Sequence, residues 1–138
     1  GALRFIADVL THRPDVVTID YALNDRTIGL TRAESAWRTM IELALGRGCN
    51  VILLTPTHDL LTQRRGDPMW AEELPKHAQQ VRRLAAEYGV GLADSDAAFN
   101  RYLANGGEVT DLLSHINHPN SLGHQLVARE LLRWFPAQ

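Results

Sequence analysis

Short apolar runs alternate along the chain with longer stretches of helical period. Residues 15–20, "DVVTID", are short, rich in β-branched side chains and preceded by Pro14, which predicts a buried strand. Residues 50–55, "NVILLT", are apolar almost throughout, as in a strand covered on both faces, and Pro56 ends the run. Residues 90–94, "VGLAD", predict a third, shorter strand. Between the first two strands, Ala33, Trp37, Met40, Ile41 and Ala44 share one helical face; Thr31 and Glu34 form a capping-box signature before it, and Gly46–Gly48 close it. Leu74, Ala78, Val81, Ala85 and Tyr88 mark the next helix, ended by Gly89, while residues 56–70 read as a polar loop. Leu3, Ile6, Ala7 and Leu10 predict an opening helix that stops near His12–Pro14. A helix over residues 96–104 runs into "NGG", and Leu122, Leu126, Val127, Leu131 and Trp134 line the buried side of a last helix starting near Pro119 or Ser121.

The order α-β-α-β-α-β-α-α with apolar strands predicts an α/β fold, a parallel sheet with helices on both faces, in a single domain over residues 1–138. In such sheets ligands sit beyond the carboxyl ends of the strands. The segments to inspect are therefore "YALNDRT" from Tyr21, "PTHDL" from Pro56, "DSDAA" from Asp94 and the loop entering the last helix.

Composition narrows the function classes. Hydrophobic residues make up 45% of the chain, enough for a core, and no run approaches the ~18 apolar residues of a membrane span. Net charge is −2 with 14 scattered Lys and Arg, so neither nucleic acid nor a membrane surface is an expected partner. A single cysteine, Cys49, excludes an internal disulfide framework. The opening "GALRFIADVL" carries an arginine within its apolar stretch and does not read as a signal peptide; the sequence sets no compartment.

The densest candidate chemistry lies in Ser114–His124, "SHINHPNSLGH". As metal ligands, His115, His118 and His124 have spacings that do not converge and no carboxylate within the segment, so no metal or other cofactor is expected. The segment reads either as a turn and cap before a helix or as the seat of a catalytic base. "YALND" likewise reads as an Asx-type turn closing a strand or as part of a site. His58 and Asp59 read as solvated loop residues or as rim groups that a substrate touches, and Trp70 as a loop anchor or a substrate contact. Gln63–Arg65 is a solvated loop charge, and Trp37 and Trp134 are core residues.

Taken together, two of these segments resemble the SGNH (GDSL-type) hydrolases. "DVVTIDYALND" is similar to their third signature block, an apolar strand running into Gly-x-Asn-Asp, with Ala22 at the glycine and Asn24 and Asp25 at the Asn-Asp pair. "SHINHPNSLGHQLVA" is similar to the fifth block, Asp-x-x-His-Pro, with His118 and Pro119 on the His-Pro pair. The resemblance implies a flavodoxin-like three-layer sandwich and ester hydrolysis through an acyl-enzyme. His118 would be the general base, and Asn24 would donate to the oxyanion. Ala22, Asp25 and His58 would be possible substrate contacts, and Pro119 would open the last helix.

Two departures accompany the resemblance. Ala22 replaces a glycine, and His115 stands where the family's aspartate orients the base. Three substitutes are available: the backbone carbonyl of His115, which needs no rearrangement and is preferred, the Asp111 carboxylate, or the His115 ring as a neutral acceptor. The blocks holding the family's nucleophilic serine and oxyanion glycine do not appear, so the chain resembles the C-terminal part of such a domain, with the nucleophile expected upstream. Ser95, Ser114, Ser121 and Ser35 fit the nucleophile poorly by position. The family strand order 2-1-3-4-5 would leave the inner edge of "DVVTID" open. Expected partners are thus a small-molecule or glycan ester, and at the edge a second copy of the chain (a homo-oligomer) or a complementing N-terminal segment.

Overall fold

The computed structural model describes residues 1–61 and 68–135, the side chains of residues 68–71 excepted; Gln63–Arg65 and the Trp70 side chain thus lie outside the described residues. Three parallel strands, β1 Val16–Ile19, β2 Asn50–Leu54 and β3 Gly91–Ala93, form one sheet in the order β1-β2-β3. Val16 pairs with Asn50 and Ile19 with Leu53, while Ile52 pairs with Gly91 and Leu54 with Ala93. The helices are α1 Phe5–Asp8, the single turn α2 Ala22–Asp25, α3 Leu30–Leu45, α4 Pro68–Tyr88, α5 Ser95–Ala104 and α6 Ser121–Leu132.

The period-two alternation of strand side chains divides the core. Val17, Ile19, Val51 and Leu53 pack with Ala33, Trp37, Met40, Ile41 and Ala44 of α3 and Val81, Leu84 and Ala85 of α4. Ile52, Leu54 and Ala93 point the other way, against Val127 and Leu131 of α6. Helices therefore cover both faces, as in a three-layer α/β sandwich. Gly48 (φ 74°) and Gly89 (φ 62°) take the left-handed conformation that turns the chain from α3 and α4 into the next strand. The amide N–H of Cys49 closes on Ala44 O, and that of Val90 on Ala85 O.

Several local expectations give way to tertiary contacts. The opening helix is broken into two 3-10 turns flanking α1, and it buries Phe5 and Leu10 while Leu3 and Ile6 are exposed. The capping box at Thr31 does not form: Gly29 (φ 78°) is the N-cap of α3, which begins at Leu30, and the Glu34 carboxylate is drawn to Arg38 and Arg83. Residues 68–70 belong to α4 rather than to a loop. Asn120, not Ser121, caps α6, its Oδ1 accepting the N–H groups of Leu122 and Gly123. Pro119 stands one residue before that cap and bridges to Leu113 instead of opening the helix. Trp134 is 49% exposed, its indole N–H held by Leu92 O, and so is not a core residue; Leu122 also sits at the surface.

Candidate active site

The carboxyl ends of all three strands open on one rim, and the rim segments are tied to one another. After β1 the chain makes the single turn α2, which carries Asn24 at the surface. So short a helix has little stability of its own, and side-chain bonds on either side hold it. The Trp37 indole N–H, buried in α3, donates to Asp25 Oδ2 at 2.7 Å. Arg26, the residue following α2, pairs with Asp59 from the loop after β2, both side chains being buried. One residue on, the Leu60 N–H donates to Ile116 O at 2.8 Å, inside the histidine loop. Asn24 and His118 therefore each lie two residues from an anchor point, and the strap 58–60 links the two anchors. Arg26 and Asp59 give no signal in the sequence beyond the rim position of Asp59, which is compatible there with a solvated loop residue or a substrate contact. Its burial corrects both.

The histidine loop is closed at its base. The Ser114 N–H and hydroxyl both donate to the His118 carbonyl, at 2.9 and 3.1 Å. The Asn120 side-chain amide donates to Asp111 O at 2.8 Å, and the Asn120 N–H to Leu112 O at 2.9 Å. His118 is exposed on this frame. Among the described residues the His118 ring makes no hydrogen bond to any of the three substitutes for an orienting aspartate. Asp111 is committed elsewhere: Oδ2 accepts the Glu108 N–H at 2.9 Å and the Tyr102 hydroxyl at 3.2 Å. The His115 and His118 rings are stacked at 29° with centroids 6.4 Å apart, whereas a direct N–H···N bond brings imidazole centroids to within about 5.5 Å.

The other expected residues fall as follows. The Ala22 side chain is in the core, 1% exposed, so only its main chain is available to a ligand. Its φ is not among the positive values, so the turn does not require the family's glycine. Asp25 spends its carboxylate on Trp37. His58 is half-buried, its Nε2 3.2 Å from Asp96 Oδ1 and its ring against Phe99. Arg82 binds Asp94 at 2.7 and 2.8 Å and Asp96 at 2.7 Å. Burial alone would raise Asp96, but hydrogen bonds from His58 and Arg82 outweigh it and hold the carboxyl below its usual range. Asp94 is lowered in the same way, through Arg82, the Ala97 N–H and Thr55. Behind α2, His77 is 1% exposed with its Nε2 unpartnered; burial lowers its pKa, opposed by Asp25 and Glu73 and reinforced by Arg26.

Ser95 is 1% exposed with its hydroxyl unpartnered, out of reach of a substrate, and Ser114 is spent on His118 O. A depression of about 270 Å³ beside the histidine loop is lined by Leu60, Thr110, Leu113, Ser114, His115 and Ile116. A larger groove of about 1010 Å³ lies between α3 and α4. There Glu34, Arg38 and Arg83 are already paired with one another, and the groove reads as a helix-helix seam. Among the described residues no set of three His, Cys, Asp or Glu is grouped to hold a metal, and no helix is long and apolar enough to cross a membrane.

A parallel sheet with helices on both faces, an Asn-Asp turn after one strand and a His-Pro loop before the last helix define a hydrolase architecture. The family model of the GDSL-like lipase/acylhydrolases matches residues 1–126, and the chain belongs to that family. Among solved structures it is similar to Axe2, an acetylxylan esterase from Geobacillus stearothermophilus, at 23% identity and a TM-score of 0.74, over 99% of this chain and 66% of that one. A catalytic histidine mutant of the same esterase gives a TM-score of 0.79. A protein of Parabacteroides merdae assigned as a GDSL-like lipase matches at 20% identity and a TM-score of 0.77, over 95% and 64% of the two chains. At these identities the likeness shows the fold, and this chain spans about 66% of the Axe2 length. Axe2 variants described as catalytic mutants change a serine, an aspartate and a histidine, the last two three positions apart. Among curated protein sequences none matches significantly.

Proposed function

We propose that the chain is the C-terminal part of an SGNH-type serine ester hydrolase acting on small or carbohydrate-borne acyl esters. The observation that carries the reading is the paired tie across the rim, Arg26 to Asp59 and Leu60 to Ile116, which joins the turn bearing Asn24 to the loop bearing His118. In the proposed reaction a serine hydroxyl, supplied from upstream of this chain, attacks the ester carbonyl carbon as His118 takes its proton. The carbonyl electron pair moves to oxygen, where the Asn24 amide N–H donates to it; losing one such donor typically costs ~3 kcal/mol. The tetrahedral species collapses, the bond to the alcohol oxygen breaks, and His118 returns the proton to the leaving alkoxide. Water then repeats the sequence on the acyl-enzyme and frees the acid. Of the orienting groups considered, the His115 main-chain carbonyl is the one we assign to His118 Nδ1–H, because the Asp111 carboxylate and the His115 ring are otherwise disposed. A carbohydrate-borne ester is favoured by the acetylxylan esterase fold relatives.

The test is hydrolysis of p-nitrophenyl acetate by this chain and by a polypeptide extended upstream to a Gly-Asp-Ser block. The chain alone is expected to be inactive and the extended protein active, with His118→Ala abolishing turnover and Asn24→Ala lowering kcat more than it raises KM. An extended protein whose rate is indifferent to His118 sinks the proposal.

A second reading, assembly by an inactive piece, is favoured by the open edge: among the described residues β1 pairs only with β2, and Leu3 and Ile6 stand exposed nearby in sequence. Such an edge invites another strand, from a second copy or a complementing N-terminal segment. Light scattering that finds a stable monomer of these 138 residues would count against it.

A further inference from the structure

We infer that the buried Arg26–Asp59 ion pair is the positioning element that sets the distance between Asn24 and His118. The inference rests on the ester-hydrolase reading and adds to it two residues that contact neither substrate nor reacting atoms. Arg26 and Asp59 come from different rim segments, 33 positions apart, and their side chains are 3% and 0% exposed. The carboxylate of Asp59 works in two directions, since Oδ1 also accepts the Leu61 N–H at 3.2 Å and so holds the shape of its own loop. The next residue, Leu60, carries the main-chain bond to Ile116. The preceding residue, His58, is fixed to Asp96, which Arg82 holds in turn. Its ring rests on Phe99, whose Cζ borders the space at Gly123 beside Pro119 Cβ. The tripeptide 58–60 thus touches α2, α5 and the histidine loop at once.

A charge pair withdrawn from water is an expensive way to stabilise a fold, because a well-packed apolar pair of similar volume is often as stable. What it provides is direction. The guanidinium and carboxylate meet in few geometries, so α2 cannot slide along the strap without breaking the pair. A sub-ångström slide would move the Asn24 amide off the oxyanion, and small misplacements of that kind are costly to turnover.

The test separates positioning from stability. In the polypeptide that carries the nucleophile, Arg26→Met with Asp59→Leu replaces the pair by apolar groups. The expected result is cooperative melting near the wild-type temperature, kcat on p-nitrophenyl acetate lowered about 10-fold or more, and KM within about 2-fold. In the 138-residue chain, the NMR signals of the Asn24 side-chain amide and the His118 ring should both shift. If the double variant does not fold, Asp59→Glu keeps the charge with a longer reach and should lower kcat at least about 3-fold in a protein that melts cooperatively. Wild-type kcat in either folded variant, or a change confined to KM, overturns the assignment. His118→Ala and Asn24→Ala run alongside. If these inactivate while the pair variants do not, only the positioning role falls; if they leave the rate unchanged, the enzyme reading and this inference fall together.

Discussion

Gly123, in the first turn of α6, tests whether the histidine loop depends on how closely that helix sits against it. A Cβ built at this position meets Leu112 O at 2.4 Å, Pro119 Cβ at 3.0 Å and Phe99 Cζ at 3.3 Å. Ordinary carbon–oxygen contacts fall near 3.3–3.6 Å, so the clash with the Leu112 carbonyl is about 1 Å deep. Nothing nearby yields easily. Leu112 and Phe99 are fully buried, and the same carbonyl accepts the Asn120 N–H at 2.9 Å. Intrinsic propensity argues the other way, since Gly to Ala in a helix gains about 1 kcal/mol. Overpacking costs about 1–3 kcal/mol, and with main chain as the obstacle the upper half of that range applies. The expected net effect of Gly123→Ala is destabilisation by about 1–2 kcal/mol, a Tm drop of roughly 3–8 °C for a chain of this size. Because the displaced contact includes Pro119, the variant should also lower kcat in the extended enzyme about 10-fold with little change in KM. Urea or thermal melts together with the p-nitrophenyl acetate assay measure both effects. A variant that melts higher than wild type and keeps its rate would show that propensity outweighs the contact, and the account of this corner would be wrong.

His77→Leu should change the pH dependence of stability. Burial holds the native imidazole below its usual pKa, so below about pH 6.5 the unfolded chain binds the extra proton and the native state loses stability as pH falls. Removing the group should flatten that slope and, by deleting an unpartnered buried nitrogen, raise stability at pH 5 by about 1–3 kcal/mol; melts at pH 5 and pH 8 that stay parallel to wild type refute it. His115→Asp places a carboxylate three residues before His118, the proposed base, the spacing at which Axe2 carries its catalytic aspartate and histidine. It should raise kcat of the extended enzyme by on the order of 10-fold, and an unchanged or lower rate would mean that the main-chain arrangement cannot accept the added acid.

How much of this was legible depended on whether the physics was local. The strands and the buried face of α3 follow from short-range periodicity, and Ala33, Trp37, Met40, Ile41 and Ala44 are all buried as their spacing requires. The Asn-Asp turn and the His-Pro loop were legible as signatures, each a contiguous run of residue types. The start of α3 was misplaced because Glu34 had a choice between its own helix terminus and arginines across the structure, and the latter won. Trp134 lies at the surface, beyond the end of α6 at Leu132, because an apolar position at helical spacing says nothing about where the helix ends relative to the sheet.

The sequence by itself determined the alternation of strands and helices, the parallel sheet it implies, and the residue types offered at the rim. Tertiary structure alone decided which of those residues meet. Arg26 and Asp59 lie 33 positions apart and pair because two adjacent strands end at the same level. Asp111 turns to Glu108 and Tyr102 rather than to His118, because a capping bond within its own turn is nearer than any across the loop. Periodicity records what a residue's immediate neighbours require; a contact between distant segments depends on register and packing, which no local pattern carries.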